Sequence, residues 1–332
     1  MSRAIQCDKN QAFTLVELLA STAVFVLLLV LVLNITKITS RMWRDTTGKM
    51  QAFEAARSSF DKITATLGQT VLNTYWEYDN VANPTRYERC SELQFFSGPM
   101  ASLAFPASTY PTHTLFFQAI TGTVADKAAY GNMPSLLNAF GYFVEYGDDA
   151  NERPSFLPPS VGARYRYRLK EWRVPAEKMS LYSKTSGVAG QSDTGAASLD
   201  WIDLTAPAAS TLAENVVALV ICPKDSGSTS LTTSDFVYHS RNSGTSTIEA
   251  NQRHQLPPEV EVVMIAATEN SVIRTLGNQA IAPELIPLTL FKSPNKLEAD
   301  LKALTDILDS KRIEYLMLRS TVKLRNSRWS QN

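Results

Sequence analysis

From Ala12 to Leu33 the chain reads AFTLVELLASTAVFVLLLVLVL, 22 residues with a single charge, Glu17. As a helix rising 1.5 Å per residue, this stretch covers about 33 Å, enough to cross a hydrocarbon core of about 30 Å. A cleavable secretory signal has a shorter apolar run followed by a small-x-small site, and no such site stands between Leu33 and Arg44. The stretch therefore predicts an uncleaved membrane anchor preceded by the short polar leader MSRAIQCDKNQA.

Glu17 needs an explanation of its own. A carboxylate inside a membrane helix costs about 2.5–3.5 kcal/mol on insertion scales, so it has a partner or a task. Phe13, Thr14 and Ser21 stand one turn away, and no basic residue of the helix lies there to neutralise it. A snorkelling Glu near the headgroups is the plain reading.

Helical spacing continues beyond the apolar stretch. Ile35, Ile38 and Met42 extend one stripe, and Phe53, Ala56, Phe60, Ile63 and Leu67 recur at steps of 3 and 4. No proline precedes Pro84, and Gly48 is a soft position between the two stripes, costing about 1 kcal/mol of helix propensity. The pattern predicts one helix from Phe13 to about Leu72, its second half amphipathic and in need of a covering sheet. Residues 34–72 hold six Lys and Arg against three acids, which a solvated helix face explains and attraction to anionic headgroups explains second. Arg3 and Lys9 on one side of the span, and Lys37, Arg41, Arg44 and Lys49 on the other, leave orientation undecided by charge.

After Asn73 the pattern shortens to strands. Glu92–Ser97, Thr114–Ile120, Phe140–Tyr146, Arg164–Trp172, Val216–Cys222, Val260–Ala266 and Tyr315–Leu324 are rich in aromatic and β-branched residues. Lys296–Arg312, after Pro294, reads as a helix burying Leu297, Leu301, Leu304, Ile307 and Leu308, and Thr211–Asn215 as a short helical turn. Ser/Thr/Gly-rich stretches at 183–198 and 225–251 read as long, mobile loops. The expected class is α+β, a long N-terminal helix packed on an antiparallel β-sheet domain.

Chemistry finds little support. Lys+Arg 32 against Asp+Glu 32 gives net charge zero, which excludes a generally basic nucleic-acid binder. His113, His239 and His254 stand in no metal-binding spacing, and no GxSxG presents a serine nucleophile. Neither a cofactor nor a metal site is expected, and the chain reads as a non-enzyme; His239 and His254 read as surface or turn residues. Gly147-Asp148-Asp149-Ala150-Asn151-Glu152 is a run of the hard oxygen ligands that calcium takes, but it lacks EF-hand spacing and reads as an acidic turn. Arg164-Tyr165-Arg166-Tyr167-Arg168 alternates like a half-buried strand, aromatics inward and arginines outward, in preference to a base-stacking platform.

Ala12-Phe13-Thr14-Leu15-Val16-Glu17-Leu18-Leu19 at the mouth of the apolar stretch resembles the prepilin signal of type IV pilins and type II secretion pseudopilins. The resemblance implies cleavage between Ala12 and Phe13 by a prepilin peptidase, N-methylation of Phe13, and Glu17 as the fifth residue of the mature chain. In the family that carboxylate meets the N-terminal amine of a neighbouring subunit, the filament-assembly role implied for Glu17. The family's usual residue before the cut is Gly, where this chain has Ala12.

Leu212-Ala213-Glu214-Asn215-Val216 and Leu256-Pro257-Pro258-Glu259-Val260-Glu261-Val262 resemble elements of J-type minor pseudopilins. The run from Tyr167 to Glu177, with the closing Val322-Lys323-Leu324-Arg325-Asn326-Ser327-Arg328-Trp329, resembles the Verru_Chthon cassette protein C family.

These likenesses imply a minor pseudopilin-like structural subunit. It would be single-pass in a bacterial inner membrane, with residues 1–12 cytoplasmic, 13–33 crossing, 34–75 an amphipathic continuation and 76–332 an extracytoplasmic domain. Its implied partners are the peptidase, other pilin or pseudopilin subunits and inner-membrane lipid, with no nucleic acid. A binding module for surfaces or cargo is the alternative, and a membrane-anchored periplasmic enzyme a weaker third. Cys7 would leave with the leader. Cys90 and Cys222 then stand equally open to a bridge or to two separate thiols, because sequence sets no distance between them.

Overall fold

The computed structural model describes residues 14–180, 199–227 and 231–329, apart from 81, 134, 159, 200, 206–208, 232–235, 242–251, 284 and 288. Contacts divide the chain into two units, residues 1–49 and 50–332. The loop expected at 183–198, most of the one at 225–251, and Ala12 and Phe13 lie outside the described residues.

Helix α1 spans Leu15–Leu67. In the first unit its residues are exposed from Leu15 through Thr46, the state in which an apolar helix seeks lipid or other helices. In the second unit the buried stripe is Ala56, Ser59, Phe60, Ile63 and Leu67, close to the apolar periodicity, with Phe53 half-buried. The helix stops five residues before Leu72 because the chain is taken into sheet pairing. The Gly68 N–H donates to the Thr64 carbonyl, Thr70 bridges to Ala119, and the Val71 N–H donates to the Gln118 carbonyl at 2.9 Å.

The second unit is built on antiparallel sheets. Its strands are β1 (Tyr75–Tyr78), β2 (Tyr87–Cys90), β3 (Phe96–Pro99), β4 (His113–Ile120), β5 (Leu137–Gly147), β6 (Arg166–Val174), β7 (Ser210–Glu214), β8 (Val216–Lys224), β9 (Tyr238–His239), β10 (Glu259–Ala267) and β11 (Tyr315–Lys323). They form a six-stranded sheet in the order β7-β6-β5-β4-β3-β9, a three-stranded sheet β11-β10-β8, and the hairpin β1-β2. Among the helices are α2 (Lys127–Tyr130), N-capped by the Asp126 side chain, α3 (Glu269–Leu276) and α4 (Leu297–Ser310). The fold is therefore α+β, one long N-terminal apolar helix with antiparallel sheets.

The last turns of α1 lie across the six-stranded sheet. The Ser59 hydroxyl donates to the Leu212 carbonyl on β7, and Lys62 Nζ meets Glu171 Oε2 on β6 at 2.7 Å. The Tyr142 hydroxyl on β5 donates to the other oxygen of Glu171 at 2.9 Å. Glu171 is buried, and donors from two elements satisfy its two oxygens, as a buried polar group requires.

Four expectations need correction. Thr211–Asn215 is not helical: Ser210–Glu214 is β7, and Asn215 is a corner at φ 58°. That single residue carries the chain from the six-stranded sheet to β8 of the three-stranded one. Asn tolerates the left-handed region where a β-branched residue would clash, and here its N–H donates to the Tyr167 carbonyl while its carbonyl accepts from Ala267. Tyr238–His239, placed in a loop by composition, pairs with β3. The segment Glu92–Ser97 becomes strand only from Phe96.

The fourth correction concerns Arg166 and Arg168 of β6, which do not face solvent, whereas Arg164, ahead of the strand, is exposed as expected. Arg166 and Arg168 are as buried as Tyr167, because β6 has neighbours on both sides and is covered on both faces.

Strands β8 and β10 are buried along nearly their whole length on both faces, consistent with their continuous apolar runs. Strand β8 packs against β3, β4, β5 and β6. Its outer edge is closed by side chains: the Leu219 N–H donates to Thr112 Oγ1 at 3.3 Å and the Ile221 N–H to His113 Nδ1 at 3.1 Å. Backbone donors at a buried sheet edge need such partners.

Candidate functional site

The structure begins, at Thr14, beside the residues on which the functional reading turns. Glu17 Oε2 accepts the Thr14 N–H at 3.0 Å and the Thr14 hydroxyl at 2.9 Å, and the Glu17 N–H donates back to Thr14 Oγ1 at 3.3 Å. Thr14-Leu15-Val16-Glu17 is thus a capping box, the S/T-x-x-E pattern that satisfies orphan N–H groups at a helix start. This accounts for the carboxylate in an apolar stretch without a basic partner: the Thr14 N–H, the Thr14 hydroxyl and the positive end of the helix dipole hold it. The sequence alone contained the T-x-x-E signal, and its capping meaning is legible once the helix is known to start there. Ala12 and Phe13, the positions for which the resemblance implies cleavage and methylation, lie outside the described residues.

The other sequence-singled residues gather at no common point. His113 is buried in β4, its Nδ1 accepting from the Ile221 N–H and its Nε2 donating to the Phe291 carbonyl at 3.2 Å, so the ring is a neutral bridge between strands. Burial lowers its pKa to about 4 against the opposing pull of those backbone contacts. His254 stands in a turn at φ 53°, as expected, but is buried, and His239, expected at a surface or turn, is half-buried in β9. Cys90 and Cys222 are thiols not joined to each other: Cys90 ends β2 opposite Tyr75, while Cys222 is buried in β8 opposite Glu261. Of the two readings left open, separate thiols is the one the structure has.

The acidic turn after β5 is taken up by cations. Asp149 accepts from Arg153 Nε at 2.8 Å and from the Arg164 N–H at 2.9 Å. Glu152 pairs with Lys170 and accepts from the Thr211 hydroxyl. Arg168 donates to the carbonyls of Gly147 and Asp148 at 2.8 and 2.7 Å, closing the turn from below. Arg166 pairs with Glu269 of α3 at 2.9 Å, and Glu269 also accepts from Asn215. Burial alone would raise the pKa of Glu269, but Arg166 and Asn215 hold it below the usual carboxylate value. These charges bind strands, corner and helix to one another. Among the described residues, no group of three or more His, Cys, Asp or Glu is placed to hold a metal ion.

One surface went unnoticed in the sequence. In the β1-β2 hairpin Trp76 faces Arg89 and Tyr78 faces Tyr87 across the strands. Trp76, Tyr78 and Tyr87 are 63, 46 and 62% exposed, an unusual exposure for three rings in one small hairpin. Tyr78 and Tyr87 stack at 4.8 Å, and the Arg89 guanidinium lies 6.0 Å from the Trp76 ring centre. Asp79 pins the turn, accepting from the Thr85 hydroxyl and from the N–H groups of Asn80, Thr85 and Arg86, which keeps its carboxyl well below the ordinary range. The sequence signal was the alternation in Tyr75-Trp76-Glu77-Tyr78 and Tyr87-Glu88-Arg89-Cys90, too short to stand out beside longer strands.

No family model, curated protein or solved structure matches this chain.

Proposed function

We propose that this chain is a minor pseudopilin-like structural subunit. It would be processed by a prepilin peptidase between Ala12 and Phe13, methylated on Phe13, and assembled through α1 into a type II secretion-like or type IV pilus-like filament. The observation that carries the reading is Phe13-Thr14-Leu15-Val16-Glu17-Leu18-Leu19 at the mouth of an apolar stretch whose one charge is Glu17. Two features support it. The exposed first half of α1 suits lipid and helix neighbours in turn, since both are apolar. Its amphipathic second half is spent on an antiparallel sheet, the pilin-like arrangement that the resemblance implies.

In this reading the chain waits in the bacterial inner membrane, N-terminus cytoplasmic and second unit periplasmic, and does no catalysis. Glu17 would meet the N-terminal amine of an adjacent subunit and set axial register. Retaining that carboxylate allows the subunit to be added beneath another, and the bulk of the second unit favours an initiating or priming role among other minor subunits.

The decisive experiment is mass spectrometry of the intact N-terminus after co-expression with a prepilin peptidase. The expected chain begins at N-methylated Phe13, and a bulky replacement of Ala12 abolishes the cut. A chain that keeps residues 1–12 under those conditions overturns the proposal.

A second reading is favoured by the aromatic hairpin: a minor pilin that attaches to a surface or to cargo. Exposed Trp and Tyr with Arg beneath are the residues that dominate binding energy at recognition surfaces. Under this reading Trp76→Ala with Tyr87→Ala leaves filaments normal and abolishes attachment, whereas deletion of a priming subunit stops filament assembly itself.

A further inference from the structure

Between Glu17 and Asp45 the chain carries no carboxylate, yet Lys37, Arg41 and Arg44 all fall in the last third of that interval. Helices that merely face water intersperse acids with bases one turn apart; this one does not until Asp45. The three cations stand at i, i+4 and i+7, so they share one helix face, while Ile35, Ile38 and Met42 repeat at i, i+3 and i+7 on another. All six side chains are exposed, and Lys37, Arg41 and Arg44 form no ion pair among the described residues.

Their height relative to the apolar stretch is set by helix geometry. Lys37, Arg41 and Arg44 lie four, eight and eleven residues beyond Leu33, or about 6, 12 and 16 Å along the axis. The headgroup layer is about 5–7 Å thick on each side of the hydrocarbon. Helical side chains lean toward the N-terminus, which here is toward the membrane, and long basic chains snorkel in that direction. The Lys37 ammonium therefore sits among the headgroups, and the two guanidiniums reach back within a Debye length of them, about 8 Å at physiological salt.

We propose that Lys37, Arg41 and Arg44 form a binding face for the phosphates of anionic lipid headgroups at the end of the membrane span. The proposal rests on reading the first half of α1 as membrane-crossing, but not on orientation, since either leaflet supplies the same phosphates. It gives the cations on the far side of the span a partner, and it tethers the helix until assembly draws it from the bilayer.

The test uses the full chain in micelles holding equimolar phosphatidylglycerol and phosphatidylcholine, with retained lipid counted by native mass spectrometry. The wild type is expected to retain phosphatidylglycerol preferentially. Each of Lys37→Gln, Arg41→Gln and Arg44→Gln should lower that preference by about fivefold, and high salt should erase it. Flotation of the same proteins with phosphatidylcholine vesicles reports whether the helix inserts at all. Insertion without phosphatidylglycerol preference overturns the lipid face and leaves the span standing. A preference unchanged in the triple variant overturns it too. Failure to float with any vesicle overturns the span, and this proposal with it.

Discussion

The ring of Phe116 lies over the α-carbon of Gly141, its register partner on the neighbouring strand, and fills the space a side chain would take there. Trp172, the partner of Gly141 on the other side, closes the same pocket edge-on to Phe116 at 5.8 Å between ring centres. Trp201 joins both rings, 6.3 Å from Phe116 and 6.0 Å from Trp172. The six-stranded sheet thus has an aromatic centre built around one missing Cβ.

Gly141→Ala should destabilise the chain by about 1–3 kcal/mol, the usual range for overpacking a filled core. Its new Cβ meets the Phe116 ring and then Trp172. Urea unfolding of the full chain in detergent measures the loss, and Phe116→Leu in the same background should restore part of it. Additive losses in the double variant would show that the two positions do not share the space.

Stability should fall as the solution is acidified from about pH 6.5 toward the folded-state value of His113, about 4. The unfolded chain takes up this proton first, so the neutral ring's contribution is complete above the unfolded pKa and lost as pH drops through the folded one. The full swing is about 3 kcal/mol. His113→Gln should be less stable at neutral pH, because the Ile221 N–H and the Phe291 carbonyl lose well-placed partners, and should show a flatter acid limb. Parallel acid limbs in the two proteins would assign the titration to other groups.

The Lys62–Glu171 pair fastens the end of α1 to the sheet. Removing the lysine strands a buried carboxylate with only the Tyr142 hydroxyl, so Lys62→Met should cost more than Glu171→Gln, which removes the charge itself. A double-mutant cycle should return a coupling of about 1–2 kcal/mol, moderated because Lys62 is 43% exposed. Zero coupling would mean the contact contributes nothing to docking.

Thr14 and Glu17 separate capping from charge. Thr14→Ala should lose about 1 kcal/mol of helix-start stability, read as faster hydrogen exchange at residues 15–18 in micelles, while the carboxylate stays. Glu17→Gln keeps an acceptor for the Thr14 N–H and should leave exchange nearly unchanged. If the charge serves assembly, only Glu17→Gln loses filament incorporation. Equal loss in both variants would assign the effect to the helix start.

The strongly periodic elements were legible from residues alone. The apolar stretch, the stripe from Ala56 to Leu67, the α4 leucines and the unbroken runs of β8 and β10 each had a pattern with one local solution. Other features were not. The expected turn at Thr211–Asn215 became a strand and a corner, because β6 offers a free edge to Ser210–Glu214 and Asn215 hydrogen-bonds to both sheets. The alternation in Arg164–Arg168 announced a strand and the exposed Arg164 but misplaced Arg166 and Arg168, since a period of two separates faces without saying whether either meets water. The hairpin's aromatic face was missed for the same reason: its exposure depends on what does not pack over it.

By itself the sequence determined that one helix is long and apolar enough to cross a membrane. It also determined that the apolar stretch carries a single charge, Glu17, near its start, and that strands follow. Those properties follow from composition and from contacts within a few residues along the chain. Tertiary structure decided that His113 is a neutral strand bridge, that Cys90 and Cys222 stay apart, that Arg166 and Arg168 are buried against carboxylates, and that Trp76, Tyr78 and Tyr87 remain exposed. Each of those outcomes depends on partners distant in sequence, and burial, pairing and charge compensation exist only once the strands have met.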